Sequence, residues 1–385
     1  MSHLFEVFVI AVVLALSLRR AAFLLASLLA ARSPPLPQAL PRVAVLVPAW
    51  NESAFAERLL RAFAQLTYPV DKCSFVLVCD GCTDATPALF RSWADQRSDA
   101  VVIELPEHEG KSAALNAGLR MAKADIVVVL DADLRPEPDF VSALVRPFAD
   151  GKVGAAAAFL RPANADDNTV SRYASVTSLV HQLVTSAGSD RLGLNPPTLG
   201  ASAFRRTALE QIGGFPAAPL GVDVAVSTAL IHGGWRTRFV ADAVADNTVV
   251  ADLGAYWRQH VRWARATLRV AAAGPRRSLA SWLQRIEMGI SRFGYADRLV
   301  FGIAVAGAVV GGVPVWVPLL YLAVPGLEIV AALHKAGIRS QMPRFLWATL
   351  AFFVVDLAGS AAAVFAQLAR RPYRWDSLRV SGRPR

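Results

Sequence analysis

Hydrophobic positions divide the chain into three stretches of different character. Residues 4 to 17 (LFEVFVIAVVLALS) are almost wholly apolar, and a second apolar stretch, Ala21 to Ala31, follows Arg19 and Arg20. The middle alternates short apolar runs with helical patterns. Strands are predicted at Val43–Val47, Phe75–Cys79, Val101–Leu105 and Ile126–Leu130, and helices near Glu57–Ala64, Pro87–Trp93 and Ser112–Ala122. Such alternation predicts a parallel sheet covered on both faces, with ligands beyond the carboxyl ends of its strands. After Arg298 the apolar character returns, and Leu299 to Leu333 holds only Glu328 as a charge. One helix of that length would measure roughly 50 Å, too long for a single crossing. Gly311, Gly312, Pro314, Pro318 and Pro325 interrupt it, so a two-span hairpin is expected. Phe345 to Leu368 is a further span containing Asp356. An acid at that depth is costly unless buried or paired, and a packed interhelical contact is expected for it.

A domain reading follows. Residues 1–32 form a membrane anchor and an interfacial segment, 33–42 a proline-rich linker, and 43–270 a cytoplasmic α/β catalytic domain. Residues 271–298 form basic interfacial helices, 299–369 two or three transmembrane helices, and 370–385 a basic tail. A signal peptide carries its charge before its apolar run, whereas here the arginines come after, which predicts an uncleaved anchor with its N-terminus outside. The basic loop HKAGIRSQMPR and the basic tail RRPYRW cannot both lie inside if the hairpin forms; a cytoplasmic tail is expected.

Composition sharpens this picture. Of 385 residues, 54% are hydrophobic, too many for an ordinary soluble enzyme of this size, and the excess sits at the two ends. The net charge of +10 is carried by arginines close to the apolar ends, which suits anionic headgroups and membrane lipids as partners. No nucleic-acid motif accompanies the charge, so no nucleic-acid partner is expected. Cys79 and Cys82 make a lone CxxC with no second pair, and reduced cysteines are the simpler reading.

Four acidic features stand where strands should end: Pro48-Ala-Trp-Asn-Glu52, Asp80-Gly-Cys-Thr-Asp84, Asp131-Ala-Asp133, and Asp223. Their order suits a sugar nucleotide whose diphosphate gains charge as the sugar leaves, and a divalent cation held by hard oxygens would neutralise that charge. Asp131 and Asp133, two apart in an extended stretch, would point the same way. Asp133 is the expected metal contact, and Asp131 the ribose contact or a second metal ligand. Asp80 and Glu52 are placed near a uracil ring. Lys111, at a helix start after Gly110, is suited to a phosphate. Asp223 is suited to deprotonate an acceptor hydroxyl, with a helix N-cap as the alternative. Gln259, Arg262 and Trp263 fall on one helical face, where Arg262 would bind the departing diphosphate and Trp263 would offer a flat surface to a sugar. The alternative for that face is an amphipathic helix on the membrane surface.

Together VPAWNE, CDGCTD, EGKSAALNAGL, DADLRPEPDF, LGASAFRRTALEQIGGF, the Asp223 loop and QHVRW resemble the family-two inverting glycosyltransferases. The likeness is to the membrane branch with cellulose, hyaluronan, chitin-oligosaccharide and poly-N-acetylglucosamine synthases, over roughly residues 40 to 270. The resemblance implies a GT-A type, Rossmann-like and mostly parallel catalytic fold with flanking transmembrane helices. It also implies a UDP-sugar donor, Mg²⁺ or Mn²⁺, an Asp base at Asp223, and an acceptor end lined by Gln259 to Trp263. Gly200-Ala-Ser202 matches a stretch near the acceptor. The implied activity is transfer to a saccharide acceptor at the inner face of a bacterial inner membrane, with polysaccharide-export components as further partners. A lipid acceptor, ceramide-like or diacylglycerol, is the alternative. Val222-Asp223 departs from the family's Glu-Asp pair, and the few C-terminal spans depart from the large polymer synthases.

Overall fold

The computed structural model describes residues 2–29, 34–37, 39–218, 221–270, 281–291, 294 and 297–368. Helix α1 (Ser2–Leu28) runs unbroken through Arg19 and Arg20, which corrects the expected division into a span and a separate interfacial segment. Arginine is a good helix former and does not interrupt α1. Arg19 pairs with Glu287, and Arg20 pairs with Asp297 at 2.8 Å and Glu328 at 3.0 Å. These two arginines therefore meet carboxylates of the protein where headgroups were expected. Beyond them Phe23, Leu24 and Ala26 are buried, so the last turns of α1 pack on protein.

The predicted alternation forms as β1 (Val43–Ala49), α2 (Ser53–Phe63), β2 (Cys73–Asp80), α3 (Thr86–Ala94), β3 (Ala100–Leu105), α4 (Lys111–Met121) and β4 (Ile126–Leu130). Then follow β5 (Arg135–Pro136), α5 (Phe140–Val145), β6 (Val153–Pro162), α6 (Thr169–Val180), a π-helical turn at His181–Ser186, and α7 (Ala187–Arg191). The sheet region closes with β7 (Ala201–Arg205), α8 (Arg206–Gln211), α9 (Val222–His232), β8 (Arg236–Asn247) and α10 (Leu253–Val270). The eight strands make one sheet in the order β3-β2-β1-β4-β7-β6-β8-β5. Strands β3, β2, β1 and β4 are parallel neighbours. Strand β7 enters antiparallel between β4 and β6, and β8 runs parallel to β6.

Side-chain alternation along β1 and β4 explains the two layers. Val43, Val45, Val47, Val128 and Leu130 face one core with α2 and α5. Ala44, Leu46, Val127 and Val129 face the other, with Leu115 of α4 and Val222 and Val226 of α9. Each fully buried aliphatic side chain contributes about 1.5–3 kcal/mol, which commits these strands to the centre of the sheet.

The C-terminal part holds α11 (Trp282–Ser291), α12 (Asp297–Val309), α13 (Trp316–Lys335) and α14 (Met342–Leu368). The expected break falls at Gly311, whose φ of 72° suits glycine, while Pro325 is accommodated inside α13. Helix α12 has 13 residues, about 20 Å and short of the ~30 Å hydrocarbon thickness. Among the described residues, three helical segments are long and apolar enough to cross a membrane: His3–Leu28, Trp316–Lys335 and Arg339–Ala362. Asp356 makes the packed contact expected of it, with Tyr173, Tyr256 and Arg298. Residues 271–280 and the tail 370–385, read from sequence as basic, lie outside the described residues.

Candidate active site

A cavity of about 3090 Å³ opens at the carboxyl ends of β1, β2 and β4, where the strand rule placed it. Its floor is the turn after β4. Leu134 N–H donates to the Asp131 carbonyl at 3.1 Å, so Asp131 and Asp133 reach the cavity from a tight turn. The expected extended stretch is thereby corrected, because the chain must reverse to enter β5. Burial first, and then the neighbouring Asp131, push the Asp133 carboxyl up to about 6. Lys111 and Arg58 act in the opposite direction. Arg58, on α2, also donates to the Asp133 carbonyl at 2.7 Å.

Lys111 is the first residue of α4, after Gly110 with φ 94°. Its Nζ lies 2.6 Å from Asp131 Oδ1 and 3.8 Å from Asp223 Oδ1. Burial alone would lower its pKa, yet the carboxylates of Asp131 and Asp223 more than reverse this and leave it raised. Asp223 is the second residue of α9, and Gly221 (φ 73°) occupies the cap position. The N-cap alternative for Asp223 therefore does not hold. Burial raises the Asp223 carboxyl, against the pull of Lys111 and Arg262. The backbone beneath it is held by Thr198 and Ser227 hydroxyls, donating to the Asp223 carbonyl at 2.9 and 2.6 Å.

Helix α10 brings Gln259, Arg262 and Trp263 to the cavity, with Trp263 42% exposed. His260 stands among them, its ring stacked on Tyr256 at 3.8 Å, and burial lowers its pKa to about 4. Gly200 passes under Asp131: its carbonyl accepts the Asp131 N–H at 2.9 Å, and a Cβ there would stand 2.5 Å from Asp131 Oδ2.

Ser202 alone among the expected site residues is absent from the cavity wall. Ser202 is fully buried in β7, where it exchanges hydrogen bonds with the Leu199 backbone and does not line the cavity. Its hydroxyl turns back onto the Leu199 backbone, while Gly200, in the bend before β7, meets the cavity. Asp80 is 3% exposed, and its two oxygens accept the Glu109 and Gly110 N–H groups at 2.8 and 2.9 Å. It fixes the loop that delivers Lys111. Pro48 and Glu52 line the wall beside it, and the Glu52 N–H donates to Thr86. Sequence reading overlooked Arg58, which no motif marks, and the Trp50–His108 stack at 4.1 Å. Trp50 lay within the first acidic motif, so its aromatic ring was an available signal.

Asp131 and Asp133 suit a hard cation. Among the described residues no group of three or more His, Cys, Asp and Glu could hold a metal. Mg²⁺ is commonly held by one or two carboxylates, with substrate phosphates completing its shell, and Asp131 and Asp133 bring two to the cavity.

The chain is 30% identical over 231 residues to a probable glycosyltransferase of Bacillus subtilis, covering 59% of this chain and 55% of the relative. It is 30% identical over 243 residues to an N-acetylglucosaminyltransferase of Rhizobium sp., covering 60% and 53%. It is 29% identical over 228 residues to the poly-β-1,6-N-acetyl-D-glucosamine synthase of Staphylococcus aureus, covering 58% and 53%. The chain thus spans about half the length of these curated relatives. A solved mannosyltransferase from Pyrobaculum calidifontis, in complex with GDP-Man and Mn²⁺, shares the fold over 97% of this chain and all of that one, with a TM-score of 0.65 and 24% identity. The catalytic region is accordingly of GT-A type. Residues 41–266 match the family described as "Glycosyltransferase like family 2", more than half of the chain, and the protein belongs to that family.

Proposed function

We propose that this chain transfers a sugar from a UDP-sugar, with inversion, to a saccharide acceptor at the cytoplasmic face of a bacterial inner membrane, in exopolysaccharide synthesis. The observation that carries this reading is Lys111 bridging Asp131 and Asp223, with Asp133 and Arg262 around the same cavity. Asp223 takes the proton of the acceptor hydroxyl as that oxygen bonds to the anomeric carbon, and the bond from that carbon to the diphosphate breaks on the opposite face. The raised Asp223 carboxyl is the stronger base for this step. Arg262, and Lys111 at the start of α4, receive the charge of the departing diphosphate. Asp131 and Asp133 would hold Mg²⁺ or Mn²⁺, which when bound neutralises part of that charge. Trp263 and Gln259 orient the acceptor. Pro48, Glu52, Asp80 and the Trp50–His108 stack form the nucleotide end. The N-acetylglucosaminyl relatives make UDP-GlcNAc the first donor to try, and the GDP-Man of the structural relative makes GDP-sugars the necessary comparison.

A second reading rests on the far end of the cavity. It continues to Leu322 and Pro325 of α13 and to Leu346, Leu350 and Phe353 of α14. Apolar walls from two segments long enough to cross a membrane favour an acceptor with a lipid tail. One experiment tests both readings. Purified membranes carrying the chain are offered a panel of UDP- and GDP-sugars with Mg²⁺ or Mn²⁺, and released nucleotide and product mass are measured. Label in high-mass aqueous product supports the first reading; label in organic solvent supports the second. No turnover of any donor, or native turnover by Asp133→Asn, refutes the proposed chemistry.

A further inference from the structure

Asp356 lies in α14, inside an apolar segment, yet it is 5% exposed and its partners come from three other helices. Oδ1 accepts the Tyr256 hydroxyl of α10 at 2.6 Å. Oδ2 accepts the Tyr173 hydroxyl of α6 at 2.7 Å and lies 2.8 Å from Arg298 Nη2 of α12. It does not line the cavity, and no step of the proposed chemistry uses it. From Tyr256 the contacts run on along α10. The Tyr256 ring stacks on His260 with centroids 3.8 Å apart and planes 22° apart, and His260 Nδ1–H donates to the Tyr256 carbonyl at 3.0 Å. The His260 ring meets Trp263 at 5.1 Å.

We propose that Asp356 is a positioning residue, which through Tyr256 and His260 fixes the face of α10 that presents Trp263 to the cavity. The functional part of this inference rests on the role given above to Trp263; the structural part does not. A carboxylate offers only acceptors, so it can anchor two phenols and a guanidinium from three helices at one point. Asparagine has the same shape but turns an NH₂ towards one of those partners, so one tyrosine loses its acceptor and Arg298 keeps only the more distant carboxylate of Asp297, at 3.8 Å. Helix α10 is then loosened from α14 by a substitution at a residue that does not itself line the cavity.

The test uses the full chain in lipid nanodiscs with 5-fluorotryptophan, read by ¹⁹F NMR. Trp263→Phe and Trp50→Phe assign the two signals at opposite ends of the cavity. Asp356→Asn and Tyr256→Phe should each shift or broaden the Trp263 signal and leave the Trp50 signal in place. The double variant should do no more than Asp356→Asn alone, because both act along one path. UDP release from UDP-GlcNAc should fall about tenfold or more at unchanged UDP affinity, the scale of a misoriented binding group. Tyr256→Phe is the milder change and carries the test if Asp356→Asn does not fold. An unmoved Trp263 signal with a lowered melting temperature would overturn the proposal and leave Asp356 a packing contact. Equal movement of Trp50 and Trp263 would overturn it too. If the native chain releases no nucleotide from any donor, the functional reading fails, while the fluorine signals still decide the role of Asp356.

Discussion

Gly200 offers a sharp perturbation of the candidate metal ligands without touching them. A Cβ added there would stand 2.5 Å from Asp131 Oδ2 and 3.1 Å from its Cγ. The Gly200 backbone is not in the left-handed region, so alanine meets no backbone strain, and the clash falls on the end of one side chain. To restore ordinary contact the carboxylate must retreat by about 1 Å, a displacement that can cost ~100-fold in rate, or about 2.7 kcal/mol of transition-state stabilisation. The retreat also breaks the 2.6 Å pair between Asp131 and Lys111. Gly200→Ala should therefore lose roughly two orders of magnitude in nucleotide release and need more Mg²⁺ or Mn²⁺ for half its maximal rate. Its melting temperature should fall only slightly, since overpacking a movable side chain costs on the order of 1 kcal/mol. The assay is donor turnover in purified membranes across a metal titration, beside a thermal melt. Native turnover, or a rate loss matched by general unfolding, would refute the reasoning.

Two further outcomes are expected. Asp223→Asn should reduce transfer by about 10²–10⁴-fold, the range of a missing general base, with UDP affinity retained in calorimetry; lost UDP binding would move Asp223 to the donor side. His260 is buried and its pKa lowered to about 4. The unfolded chain therefore binds the proton more readily below about 6.5, and the stability this neutral ring contributes is lost as pH falls from there towards 4. His260→Gln should flatten the melting temperature over that window, and an unchanged pH profile would contradict the burial.

Much of the fold was readable from local pattern. Strands β1 to β4 announced themselves because parallel strands buried on both faces are short apolar runs, and acidic residues followed each end that faces the cavity. The antiparallel entry of β7 was not readable, because ASAFR carries no mark of strand direction. Asp80 could not be assigned from sequence either, since its partners are backbone N–H groups about thirty residues away. The pairing of the α1 arginines with Glu287, Asp297 and Glu328 was not readable, because those acids lie far along the chain.

The sequence by itself determined the class of architecture, the position of the apolar helices and the residue types able to meet a diphosphate and a cation. Those properties follow from periodicity and side-chain chemistry, which are local. Tertiary structure alone decided that Lys111, Asp131, Asp133, Asp223 and Arg262 share one cavity, and that Asp356 ties a membrane-length helix to the helix bearing Trp263. Those facts depend on how distant segments are brought together, and each costs chain entropy that only the packed core repays.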